Sequence, residues 1–169
     1  MQRTFFISLA SAAFAMVTGI SGVSPALAGN TRDTVRSEYF TARVLKVESD
    51  APGSRWVTVE FTAVPLSQAE AVTLRPNDAN CSRPAFLMDA KGNKFLSADC
   101  SPGAPAHDRW ALSLDYPADP PVRRFHFVGP SGVSGGPYDI VIPITYTKVD
   151  EEDRRLPAIA QVLSFVGIE

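Results

Sequence analysis

The stretch Tyr138-Asp139-Ile140-Val141-Ile142-Pro143-Ile144-Thr145-Tyr146 decides the fold class. Side chains two apart lie on the same face of an extended chain, so Tyr138, Ile140, Ile142, Ile144 and Tyr146 form one apolar face. Asp139, Val141, Pro143 and Thr145 form the other, wetter one. A helix would scatter this pattern around its circumference; an antiparallel strand with one side in a core preserves it. Pro143 has no N–H to give to a ladder, which predicts an edge or a bulge at that point.

The same alternation recurs on either side. Val57, Val59, Phe61 and Ala63 oppose Thr58, Glu60 and Thr62. Trp110, Leu112, Leu114 and Tyr116 oppose Arg109, Ala111, Ser113 and Asp115. In residues 122–128, Phe125 and Phe127 point inward if Arg124 and His126 point out. Residues 40–47 are apolar on both faces, and a change of parity near Val44 and Leu45 predicts a bulge. Residues 71–75 and 84–88 read as short strands. Residues 157–168 fit a helical face or a strand face, and Val162, Phe165, Val166 and Ile168 favour a closing strand. Between these runs lie turn residues, at 51–53, 89–93, 101–103, 119–121 and 129–137. About seven to nine short strands separated by such turns predict an all-β protein, an antiparallel sandwich or barrel. Trp110 falls on an apolar face and reads as core. Trp56 falls on the outward side of its strand and reads as a rim residue.

Residues 1–28 have the three zones of an export signal: Arg3, an apolar run from Phe5 to Val17, and helix breakers ahead of Ala26-Leu27-Ala28. The run is too short to anchor the chain across a bilayer. Gly29 rather than Cys gives no site for a lipid, and the leader has no Arg-Arg pair. Cleavage after Ala28 by the general secretory route is expected, placing the chain in the periplasm or outside the cell. Removing 28 of the 169 residues leaves 141, enough for one domain at 38–169 preceded by a loose polar arm at 29–37. The remaining 15 basic and 18 acidic side chains give a weakly acidic surface without a basic cluster, which argues against nucleic acid. No further apolar stretch reaches membrane-spanning length.

Export also governs the reading of the two cysteines. An oxidising compartment and an even count favour a structural Cys81–Cys100 disulfide. It would close a loop of about 20 residues, worth about 3 kcal/mol in chain-entropy models. Metal ligation has weaker support, since neither Cys-x-x-Cys nor His-x-His spacing occurs. His107 and His126, with Met88, are the residues a copper site would draw on, and no spacing fixes their relative positions. No cofactor is expected.

The Gly132-Val133-Ser134-Gly135-Gly136-Pro137 run resembles the nucleophile loop of trypsin-like serine proteases, and His107, Asp115 and Ser134 follow the chain order of that triad. Those proteases place histidine and serine in two barrels, whereas His107 and Ser134 are 27 residues apart in one domain. An α/β-hydrolase elbow needs a histidine after the serine, and none follows Ser134. A surface loop is the expected reading. Asp89-Ala90-Lys91-Gly92-Asn93 lacks the carboxylates of an EF-hand and predicts a hairpin turn with Gly92 or Asn93 at positive φ. Asn80-Cys81-Ser82 formally matches a glycosylation acceptor, which a disulfide at Cys81 would make unusable.

The hairpin at residues 86–95, the strand at 110–116 and the Phe125-His126-Phe127 strand together resemble the telokin-like, immunoglobulin-like β-sandwiches of secreted bacterial immunoprotective antigens. The resemblance covers residues 38–146. It implies an immunoglobulin-like sandwich without catalytic residues. The expected function is an exported, non-catalytic binding or adaptor module for another envelope or extracellular protein. The competing readings are a small serine hydrolase using Ser134, a metal-binding protein using His107 or His126, and an envelope assembly subunit whose arm pairs with a neighbour's sheet edge.

Overall fold

The structure, a computed structural model, describes residues 32–64, 71–77, 83–100, 110–114, 119–131, 135–149, 154–155 and 157–169. The described residues are all-β, with ten strands: β1 (Thr34–Arg36), β2 (Phe40–Glu48), β3 (Ser54–Ala63), β4 (Val72–Pro76), β5 (Phe86–Asp89), β6 (Lys94–Ser97), β7 (Leu112–Leu114), β8 (Val122–Val128), β9 (Tyr138–Lys148) and β10 (Ile159–Ile168). A 3-10 turn, Ala98–Cys100, follows β6, and no α-helix occurs among the described residues. All pairings are antiparallel and run in one hydrogen-bonded order, β1-β2-β3-β8-β6-β5-β9-β4-β7, with β10 along β9.

β9 organises this sheet. β10 lies along one of its sides, and along the other β5 pairs at residues 138–141 and β4 at 144–148. Pro143 sits where β5 has ended and β4 has not begun. Its carbonyl accepts from the Asn77 amide on that side, so its missing N–H also points into the changeover. The expected edge or bulge is therefore corrected. A central strand tolerates proline here because no ladder bond is asked of it.

The predicted alternation sorts the core. Tyr138, Ile140, Ile142, Ile144 and Tyr146 of β9, Val57, Val59 and Phe61 of β3, and Phe125 and Phe127 of β8 are all buried. They close on Phe40, Leu74, Leu87, Phe95, Leu163 and Phe165. The register of β2 shifts between Val44 and Lys46, as its change of parity requires, and this turns Leu45 out to solvent. Residues 159–168 are a strand, and a second register shift between Phe165 and Ile168 brings Ile168 back to the core around Gly167, at φ 66°.

Two segments depart from the reading above. Thr34–Arg36, within the expected loose arm, pairs with Arg43, Ala42 and Thr41, and Val35 is buried. One apolar side chain in a polar segment is a faint signal, yet it suffices when a strand edge is waiting for it. Of the strand expected over 110–116, Trp110 and Ala111 are not strand and Leu112–Leu114 are, with Trp110 packed edge-to-face on Phe125 in the core. Asp115 and Tyr116 lie outside the described residues.

The 89–93 hairpin shows how a turn is held. The buried Asp89 carboxylate accepts from the amides of Lys91 and Asn93 and from the Asn93 side chain, and Gly92 takes φ 80°. Burial disfavours the charged form, but hydrogen bonds from Asn93 and Lys91 outweigh it and hold the carboxyl below its usual 3.8. A depressed folded-state value stabilises the fold above the ordinary carboxylate range, and that contribution is lost as pH falls through 3.8 and on through the folded value. Asp89→Asn keeps the turn acceptor without the charge. Urea unfolding across an acid pH series is expected to show a flatter loss of stability for Asp89→Asn than for the native chain below that value; superimposable slopes would refute the assignment.

Candidate binding face

One row of register partners crosses the outer surface of the sheet: Ser164 of β10, Val141 of β9, Phe86 of β5, Leu96 of β6, Val128 of β8 and Ser54 of β3. Residues directly opposite on adjacent strands point the same way, so the row is a continuous strip on the face away from the core. Leu96 and Val128 are 41% and 43% exposed. Beside Ser164 on the same strand, Val162 and Val166 are 57% and 56% exposed. Single exposed valines are ordinary, but a strip spanning five strands is not. The Lys94 ammonium lies 4.0 Å from the Phe86 ring centroid, adding a charge to the rim.

The strip ends at a polar and aromatic cluster. Trp56 and His126 are register partners on β3 and β8, and their rings stack at 4.3 Å with 6° between the planes. The Arg124 guanidinium lies 4.7 Å from the Trp56 ring centroid, with Glu48 3.4 Å from its Nη2. The Trp56 indole N–H donates to Asp50 at 2.8 Å, and Ser54 Oγ lies 2.9 Å from His126 Nε2. Hydrogen bonds from the Ser54 hydroxyl and the Trp56 indole hold the Asp50 carboxyl below the usual range.

Trp56 was expected at the rim and is there, but the stack that orients it was not foreseen. The signal was the matched parity of Trp56 and His126 on their strands. What was missing was the β3–β8 pairing, which joins Trp56 to His126 across 70 positions in the chain. The structure does not bring Met88 and His126 together: they lie two strands apart, on opposite sides of the Phe86–Leu96–Val128 line. No group of three or more potential metal-ligating side chains occurs among the described residues. Ser134, His107, Asp115 and Cys81 lie outside the described residues, while Cys100 ends the 3-10 turn after β6.

No helix among the described residues is long and apolar enough to cross a membrane. No family model matches the chain, and neither the curated proteins nor the solved structures contain a match.

Proposed function

We propose that this chain is an exported, non-catalytic binding or adaptor module that engages another protein through the outer face of β10-β9-β5-β6-β8-β3. The observation that carries the reading is the apolar strip bounded by the Trp56–His126–Arg124 cluster. An apolar centre with tryptophan and arginine at its margin is the composition of protein interfaces. The strands would fold over on themselves as an immunoglobulin-like sandwich, which the antiparallel pairing and the shared core support. Removal of residues 1–28 would deliver the domain to an oxidising compartment, where Cys81 and Cys100 pair; no free cysteine occurs among the described residues, in keeping with that pairing.

A photo-crosslinking side chain placed at Leu96, with a control at the exposed Thr62 on the same face of β3, tests the reading in the native envelope. One discrete adduct from Leu96 and none from Thr62 is expected. Equal labelling from both positions, or none from either, would overturn it. Reaction of Ser54 or Ser134 with a fluorophosphonate would move the assignment to a hydrolase.

A further inference from the structure

We propose that β10 pairs with β10 of a second copy of this chain, antiparallel about a two-fold axis at Val162. This goes beyond the binding face, because it uses a strand edge and not a sheet surface. Pro143 and Val162 are register partners, and the Pro143 carbonyl points away from β10 to Asn77. In an antiparallel ladder, opposite residues either exchange both bonds or turn both away. The N–H and C=O of Val162 therefore point away from β9, as do those of Ala160 and Ser164 at the same parity. The Val166 amide, next in that series, confirms the direction by donating outward to the Arg32 carbonyl at 3.3 Å.

After that one bond β1 stays beside β10 without pairing to it. Thr34–Arg36 pairs with β2 instead. Among the described residues nothing pairs with the outward groups of Ala160, Val162 and Ser164. The far end of the sheet, β7, is three residues long, a length that limits such pairing, whereas β10 runs for ten. Those ten residues contain no charge and no proline, and their bulge lies beyond Phe165. They lack the devices that keep a strand edge single.

The second copy is the occupant that the edge itself specifies. Antiparallel pairing centred on Val162 places Val162 opposite Val162 of the other copy and Ala160 opposite Ser164. Each of these outward N–H and C=O groups then meets a partner. No like charges face each other across the axis, because the strand has none. On the outer surface the two exposed Val162 side chains become neighbours, joining the apolar strips of the two copies. The contact is isologous and closes on itself.

Sedimentation equilibrium of the purified full chain over a concentration series should show a monomer–dimer equilibrium. Val162→Pro removes only the outward N–H and should weaken dimerisation about ten-fold or more. Under oxidation, Val162→Cys should cross-link to itself. Ala160→Cys should not, since its two copies would stand about 14 Å apart, four residues along the strand. If Val162→Pro does not fold, Val162→Lys sets two like charges on the axis from a solvent-facing position and should give the same loss. A monomer at every concentration would overturn the proposal, as would a dimer indifferent to the folded Val162 variants. Equal cross-linking at 160 and 162 would do so too, and would point to another partner or another register.

Discussion

Phe95→Ala is expected to lower the unfolding free energy by about 3–5 kcal/mol, at the upper end of core truncations. Phe95 is fully buried on β6, opposite Leu87, and its ring is contacted from two further sides. On one, a Cβ on Gly129 would lie 2.5 Å from Phe95 Cδ1 and 3.1 Å from its Cα, so the Gly129 backbone is pressed against the ring. On the other, the Arg55 guanidinium stands 5.3 Å from the ring centroid. The surroundings cannot collapse into the space that alanine would leave. Gly129 is tied by its amide to the Gly53 carbonyl at 2.9 Å, and Gly53 itself holds φ 77°. Urea unfolding should show a lower midpoint at unchanged slope. Gly129→Ala should be destabilising in the native chain and much less so beside Phe95→Ala, where its methyl enters the vacated space. Additive costs for the pair, or a Phe95→Ala loss below about 1 kcal/mol, would show that the site relaxes freely.

That packing explains which parts of the fold were legible in the sequence. Period-two alternation needs only a strand and one buried side, so β3, β8 and β9 were readable from Val57, Phe125 and Ile140 and their neighbours. The bulge in β2 was readable because a parity change at Val44 and Leu45 has no other remedy in a strand with one core face. Pairing is another matter. Nothing local says that Phe86 meets Val141 while Leu96 meets Val128, and the apolar strip exists only through those two facts. Val128, Val162 and Val166 each looked like an unremarkable strand residue, and Leu96 lay just past the hairpin read at residues 86–95. The Trp56–His126 stack was hidden for the same reason. Pro143 was misread because its local meaning, a missing donor, was clear, while the gap that accommodates it comes from the ends of two distant strands.

Arg55 is a charged side chain on the core face of β3, and Arg55→Met is expected to cost about 2–4 kcal/mol. The alternation of β3 puts position 55 on the same face as Val57 and Phe61, and the structure keeps it there, 5% exposed. A charged side chain in a core must find partners for its donors. Nε donates to the Tyr138 hydroxyl at 3.1 Å, and Nη1 to Ser49 Oγ at 2.8 Å and to the Ser54 carbonyl at 2.7 Å. The guanidinium also lies against the Phe95 and Tyr138 rings. These bonds tie the start of β3 to the start of β9 and to the 49–54 turn. Methionine would keep much of the apolar stem and lose every donor, leaving the Tyr138 oxygen and the Ser54 carbonyl without their partner at about 1–3 kcal/mol for each group left unsatisfied. Lysine should not restore the loss, because one ammonium cannot reach the divergent positions served by Nε and Nη1. The decisive comparison is a cycle with Tyr138→Phe, measured by urea unfolding. If Arg55 acts through these bonds, removing the hydroxyl costs stability in the native chain and little or nothing in Arg55→Met. Equal costs in both backgrounds would mean that Arg55 serves only to fill space, and Arg55→Met would then approach the native chain in stability.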